Sequence, residues 1–380
     1  MKTVSLVLIG FTLFCIPGAG WSEDKGPNHD VKPWIDLGFR ELKQSAEEDR
    51  VFAAQMFALT LVELGELEAV GRVVEESLPE REKHFVKMVV AVHQGLHERL
   101  ENADRTIREL PPEQQESAWA LLVVRLAQAN RLEEAEGVLQ KITKEVARDR
   151  AIVGIAEAYA ASGDAKAARH WAKQIKDNER REQTLQKIQQ GIPERIEIEP
   201  KWLNEQILVL SLFSSSERTR EAILAVNAIQ NEKPDEKERH FQAALKQSRD
   251  AVPHEKAMIF TYLALVLVEE NRVQEAREMI MAAKAAGDNE WLGISSLFGN
   301  PVLIYRLMEL NLEAEIEEIV VSARDSTSST AELTYLNILR SLGSSYASLN
   351  RLKAARKYFE SLESSKLRVH FVTGILRGFK

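Results

Sequence analysis

Near the C-terminus the chain reads Leu339-Arg340-Ser341-Leu342-Gly343-Ser344-Ser345-Tyr346-Ala347-Ser348-Leu349-Asn350-Arg351-Leu352-Lys353-Ala354-Ala355-Arg356-Lys357-Tyr358-Phe359. Leu342 and Tyr346 are four apart and so share one face of a helix. Gly343, beside them, removes a side chain where a neighbouring helix would approach. Asn350 sits where that helix must stop, because Asn tolerates a left-handed backbone. In the helix that follows, Ala355 permits close approach to the first and Phe359 fills the gap one turn later. Small and large residues in this order around a turn specify a helical hairpin more narrowly than amphipathic periodicity does.

The pattern L-x2-L-G-x2-Y, followed after the turn by A-x3-F, resembles the tetratricopeptide repeat, a helix–turn–helix unit of about 34 residues. The resemblance implies an all-α fold, a right-handed α-solenoid of stacked helix pairs, and such proteins usually bind other proteins. Working outward, the turn and the small residue after it recur. Gly65-Glu66-Leu67-Glu68-Ala69-Val70, Glu98-Arg99-Leu100-Glu101-Asn102-Ala103, Asn130-Arg131-Leu132-Glu133-Glu134-Ala135 and Gly163-Asp164-Ala165-Lys166-Ala167-Ala168 set their turn residues 33, 32 and 33 positions apart. The preceding helices carry the other half: Trp119 and Leu122 before Asn130, and Ile155, Ala156 and Tyr159 before Gly163. Phe57, Ala58 and Leu61 precede the first turn, and Val90 and Ala91 the second.

The second half is looser. Turns are expected at Glu217, Asn271, Asn311 and Asn350, at spacings of 54, 54, 40 and 39 counted from Gly163. The long gaps require extra helices, of which 235–249 is one, and helical arrays with somewhat longer units would read much the same. Gly191 to Pro200, with two prolines and alternating Ile and Glu, reads as extended. The expected organisation is therefore a helical array over 34–192, a joint at 193–200 and a less regular array over 201–380. A last helix from Ser365 to Phe379 carries Lys366, Arg368, His370 and Arg377 on a polar side, as a capping helix requires.

Residues 1–22 read as a secretory signal: basic Lys2, an apolar run from Val4 to Ile16, then small residues, with cleavage after Gly20 or Ser22. The run is too short to span a bilayer. Residues 23–33 form a polar, flexible leader. Cys15, the one cysteine of the chain, lies inside the signal, so the mature chain carries no thiol. A cysteine-free exported chain suits an oxidising compartment, and a periplasmic or extracellular location is expected. After signal removal no stretch is long enough to span a membrane; Ala257 to Val268, the most apolar, fits a buried helix. Apolar residues make up 44% and charged residues 28%, a globular composition. The net charge of −8 and the scattering of basic residues in mixed clusters argue against nucleic-acid binding.

Chemistry-bearing motifs are absent: there is no phosphate-binding glycine loop, no H-E-x-x-H, no G-x-S-x-G and no calcium loop. His93 and His97, four apart with His84 nearby, lack a third and fourth metal ligand. Acidic runs such as Glu315-x-Glu317-Glu318 fit a solvated helix face. No cofactor is expected. In the resembled family the first helix of each pair lines a concave groove. Carried over by turn register, those positions are Phe52, Gln55, Leu59, Val62, Phe85, Met88, Val92, Ala120, Val124, Val153, Glu157, Met258, Thr261, Leu265, Val268, Asn337 and Arg340. Most are apolar. They form either a groove for a partner's helix or extended segment, or surfaces buried by a tight superhelix, by the leader or by self-association. The expected function is that of an exported, non-catalytic scaffold or adaptor for protein partners in the cell envelope. The alternative is a helical accessory subunit of a complex acting on polysaccharide or cell wall.

Overall fold

Among the residues that the computed structural model describes, six hold a left-handed backbone, and all six are turn residues read from the sequence: Gly65 (φ 76°), Asn130 (59°), Gly163 (86°), Asn271 (58°), Asn311 (57°) and Asn350 (53°). Only Gly and, at modest cost, Asn adopt this conformation routinely. Each of the six closes the helix before it with the same two hydrogen bonds. Asn130 N–H donates to Ala127 O at 3.0 Å and Arg131 N–H to Leu126 O at 2.9 Å; Asn350 and Arg351 do the same to Ala347 and Tyr346 at 2.9 and 2.8 Å. The pair satisfies carbonyls that a helix end leaves without partners.

The structure describes residues 31–190, 221–222, 224–225, 234–287, 301–324 and 331–379. The expected signal, nearly all of the leader, the joint at 193–200 and the turn at Glu217 lie outside them. Among the described residues there is no strand, and the fold is all-α. The helices are α1 (Lys32–Gln44), α2 (Glu47–Glu63), α3 (Leu67–Ser77), α4 (Glu80–His97), α5 (Leu100–Arg108), α6 (Pro112–Gln128), α7 (Leu132–Leu139), α8 (Glu145–Ala161), α9 (Ala165–Ala172) and α10 (Asn178–Gln190). They continue with α11 (Pro234–Ser248), α12 (Pro253–Glu269), α13 (Val273–Gly287), α14 (Pro301–Glu309), α15 (Glu313–Arg324), α16 (Ala331–Ser348), α17 (Leu352–Ser361) and α18 (Ser365–Arg377). Prolines open α6, α11, α12 and α14, where a missing N–H costs nothing.

The chain forms two compact units, one from Arg50 to Arg195 and one that joins His29–Asp49 to Ile196–Lys380. In the N-terminal unit α4 packs on α5, α6 on α7 and α8 on α9, while α4 touches α6, α6 touches α8 and α8 touches α10. In the C-terminal unit α12 packs on α13, α14 on α15 and α16 on α17; α12 touches α14, α14 touches α16, and α16 touches α18. The residue five places after each left-handed turn is turned into the core. Val70, Ala135, Ala168, Ala276, Ile316 and Ala355 are all buried, and alanine at four of them lets the backbones approach. Tyr346 meets Tyr358 at 6.1 Å and Phe371 at 6.0 Å between ring centroids, so the aromatic of α16 packs against both α17 and α18.

Polar side chains hold the same geometry at the same spacing. Glu116 accepts from the Thr143 and Lys144 N–H groups at 3.0 and 3.2 Å, and Asp149, 33 residues later, accepts from those of Lys176 and Asp177 at 2.9 and 2.8 Å. Each carboxylate thus clamps the loop that leads into the next long helix. Burial works against the Glu116 charge, but the Thr143 hydroxyl and the two N–H groups hold its carboxyl below the usual range. Arg131 pairs bidentately with Glu134 at 2.6 and 2.7 Å and donates onward to the Gly95 and Leu96 carbonyls of α4 at 2.9 and 2.6 Å. Arg272 repeats the bidentate pair with Glu275 at 2.7 and 2.5 Å.

One turn differs in kind and one expectation fails. The expected turn at Glu98 does separate α4 from α5, but without a left-handed backbone: the φ of Glu98 is −118°, its N–H bonds Gln94 O, and the chain leaves α4 through an extended Arg99. Neither Gly nor Asn stands there, so the helix ends by another route. The last helix also lacks an exposed polar side. α1 lies on α18, His370 is fully buried, and so are Val369 and Phe371 to Leu376.

Candidate functional site

The candidate binding positions fall on the long helices: Phe52, Gln55 and Leu59 on α2; Phe85, Met88 and Val92 on α4; Val124 on α6; Glu157 on α8; Met258 and Leu265 on α12; Asn337 and Arg340 on α16. The contacts α4–α6–α8 bring three of these helices into one row in the N-terminal unit. Burial then separates the side chains. Leu59, Val92, Leu265 and Arg340 are buried, as are Val62, Ala120, Thr261 and Val268. Phe52, Gln55, Phe85, Met88, Val124, Val153, Glu157, Met258 and Asn337 are half-buried.

Packing accounts for much of the apolar character. Met88 and Val153 lie against the core formed by Trp119, Leu122, Leu126, Ile152 and Ile155. At Gly154 a Cβ would stand 2.7 Å from Val124 Cγ2, so α6 and α8 meet at Val124 with no spare space. Glu157 is paired with Lys187 of α10 at 3.3 Å. Large apolar side chains that are exposed among the described residues are Val146, Val252 and Met281, on separate elements. The helix row therefore presents a half-buried, mixed surface. Glu157 and the edges of Met88 and Val153 are among its accessible groups.

His93 and His97 face one another on α4 at 4.7 Å between ring centroids. No set of three His, Cys, Asp or Glu among the described residues is placed to hold a metal ion. No described helix is long and apolar enough to cross a membrane.

A second polar grouping escaped the sequence reading. It lies in the C-terminal unit, around α18. Glu41 of α1 is 1% exposed; its carboxylate accepts from Arg40 at 2.7 Å and lies 3.6 Å from Arg368. Lys366 bridges Asp49 at 2.5 Å and Glu332 at 2.6 Å. Arg340 is buried and hydrogen-bonded to Asn337, and burial together with Arg377 pushes its guanidinium down to about 9, still charged at neutral pH. Burial, Arg340 and Lys366 all push the His370 imidazole well below its ordinary value. The polarity of Lys366, Arg368 and His370 had suggested a solvent face. The signal that could have corrected it is the apolar stripe Trp34, Ile35, Leu37, Phe39 and Leu42 near the N-terminus, which needs a surface to cover.

The chain matches no protein-family model, and no curated protein sequence matches it.

Proposed function

We propose that this chain is a right-handed α-solenoid of tetratricopeptide-like hairpins that acts as an exported, non-catalytic scaffold or adaptor for protein partners. The observation that carries the reading is the recurrence of one hairpin: six left-handed turns with the same two closing hydrogen bonds, five of them joining helices that pack on one another. Stacked hairpins place the long helices side by side and so build an extended surface from many residues, which suits recognition of a peptide or helix better than a single reaction centre. The N-terminal sequence supports export, and a periplasmic or extracellular location follows from it.

The test is affinity capture from an envelope extract of the source cells, with mature chain 23–380 as bait. A parallel bait carries Gln55→Arg and Glu157→Arg, half-buried positions on α2 and α8, with helicity checked by circular dichroism. The expected result is a protein retained by the wild-type bait and lost from the folded variant. Retention of glycan in place of protein refutes the adaptor reading. Mass analysis of the N-terminus tests export: an intact Met1 in the chain purified from its source would exclude signal cleavage.

A further inference from the structure

We propose that the exposed face of α9 is a docking strip for an acidic helix of a protein partner. The strip lies on a short helix, apart from the long-helix row, so the two surfaces stand or fall separately. Its first ground is sequence. From Ala165 to Lys176 the chain carries Lys166, Arg169, Lys173 and Lys176 and no carboxylate, in a protein whose net charge is −8. All four cations are exposed, with His170 among them. Ala168, Ala172 and Ile175 are buried, so the apolar side of the helix is spent on the core and the cationic side faces out.

The second ground is that this charge is not neutralised from within. Among the described residues none of the four cations pairs with a carboxylate. Carboxylates close by in sequence are engaged elsewhere. Asp164 accepts from the Ala167 N–H and Asp177 from the Arg180 N–H, both at 2.8 Å. Asp149 of α8 holds two backbone N–H groups, and Glu157 pairs with Lys187. Glu179 of α10 accepts from Gln183 at 3.1 Å. The other short helices of the same unit mix their signs. Arg72 lies 3.9 Å from Glu76 on α3, Arg108 lies 2.8 Å from Asp104 on α5, and Arg131 pairs with Glu134 of α7.

The third ground is the narrowness of the strip. One hairpin earlier, at the same register, Glu133 and Glu136 of α7 stand where α9 has Lys166 and Arg169. Glu133 is exposed, and Glu136 accepts from the Tyr159 hydroxyl at 2.9 Å. A broad anionic surface such as a bilayer would meet these carboxylates together with the cations. The apolar side of α9, already buried, has nothing to insert into lipid. A single segment of chain can follow α9 alone.

Spacing then selects a helix. Lys166, Arg169 and Lys173 are three and four residues apart, so successive positions rise by about 4.5 and 6 Å along the axis. Carboxylates three and four residues apart on a partner helix repeat the same distances. One side of an extended chain recurs at about 6.7 Å and falls out of step.

Fluorescence anisotropy with mature chain 23–380 tests the strip at low salt, where attraction between exposed charges is least screened. The probe is a labelled alanine-rich peptide of about 20 residues, long enough to be helical, with glutamates three and four apart on one face. A control peptide of the same composition spreads its glutamates around the helix and should bind about threefold more weakly or worse. Lys166→Glu with Lys173→Glu, its fold checked by circular dichroism, should weaken binding of the probe about 10-fold, and Lys166→Gln with Lys173→Gln about threefold. Arg99→Glu with Arg105→Glu, exposed positions at α5, changes the net charge equally and should leave binding within about twofold. No binding of the probe, equal binding of the two peptides, or equal loss in the two charge-reversed chains would each overturn the proposal. Tighter retention of the chain on phosphatidylglycerol vesicles or on polygalacturonate than on the probe would put lipid or glycan in place of the helix and overturn it as well.

Discussion

Adding a single methyl group at Gly374 should push α18 off α16. The Cβ of an alanine would stand 2.0 Å from Arg340 O and 2.7 Å from Arg340 C. Ordinary contact begins near 3.4 Å, and both obstructing atoms are backbone, so no rotamer change relieves the overlap. The helices must separate by more than an ångström. A gap of that size forfeits a quarter to a half of the dispersion well at each contact. Phe371, Val372, Ile375 and Leu376 are each 0% exposed, and burying a side chain of this kind contributes about 1.5–3 kcal/mol. Losing a quarter of four such contributions costs about 1.5–3 kcal/mol, and the strain of overpacking adds about 1–3 kcal/mol. Against this stands the better helix propensity of Ala, about 1 kcal/mol. The packing term wins, and Gly374→Ala should destabilise the C-terminal unit by about 2–4 kcal/mol. Gly71→Ala and Gly137→Ala are the matched controls. Both glycines are inside helices with nothing within 4 Å of a Cβ, so propensity acts alone and each should stabilise by about 0.5–1 kcal/mol. The assay is urea unfolding followed by far-ultraviolet circular dichroism, with exchange in residues 331–348 and 365–377 locating the effect. If Gly374→Ala matched the two controls, the close approach of α16 and α18 would be refuted.

Two further perturbations probe the hairpins. Replacing Asn350 by Ala at φ 53° should cost about 1–2 kcal/mol from left-handed strain, whereas Asn350→Gly should be neutral or stabilising; equal urea midpoints for the two variants would remove the strain argument. Asp149→Ala should leave the Lys176 and Asp177 N–H groups without their acceptor and cost about 1–3 kcal/mol, seen as faster exchange at the start of α10, and full protection there would mean that the carboxylate is not the clamp.

The turns were legible because their requirement is written in residue type. A left-handed backbone selects Gly or Asn, and each of the six that adopts it had been read from Gly65, Asn130, Gly163, Asn271, Asn311 or Asn350. Glu98 was placed by spacing without the chemistry, and there the backbone took another path. The alanine after four of the six turns was legible for the same reason, since only its size matters where two backbones cross. Pairing between distant helices was not legible. Nothing local in Trp34-Ile35-Asp36-Leu37 says which surface will cover it.

That difference explains why the candidate site was misread at one end of the chain. Lys366, Arg368 and His370 were assigned to solvent because polar residues on a terminal helix usually face it. The inference holds only when no later-packed element covers the helix, and α1 does cover it. Once α1 is in place, Glu41 at 1% exposure sits 3.6 Å from Arg368. The polar side of α18 then belongs to an internal contact between the two ends of the described chain. Arg340 changes meaning with it. Transferred as a groove residue, it lies instead beneath α18, where Gly374 passes over its backbone. A substitution at Arg340 should therefore disturb the α16–α18 contact first. An Arg340→Met chain that loses protection in 365–377 while still retaining a captured partner would separate the two roles, because Met keeps much of the buried volume and removes the charge.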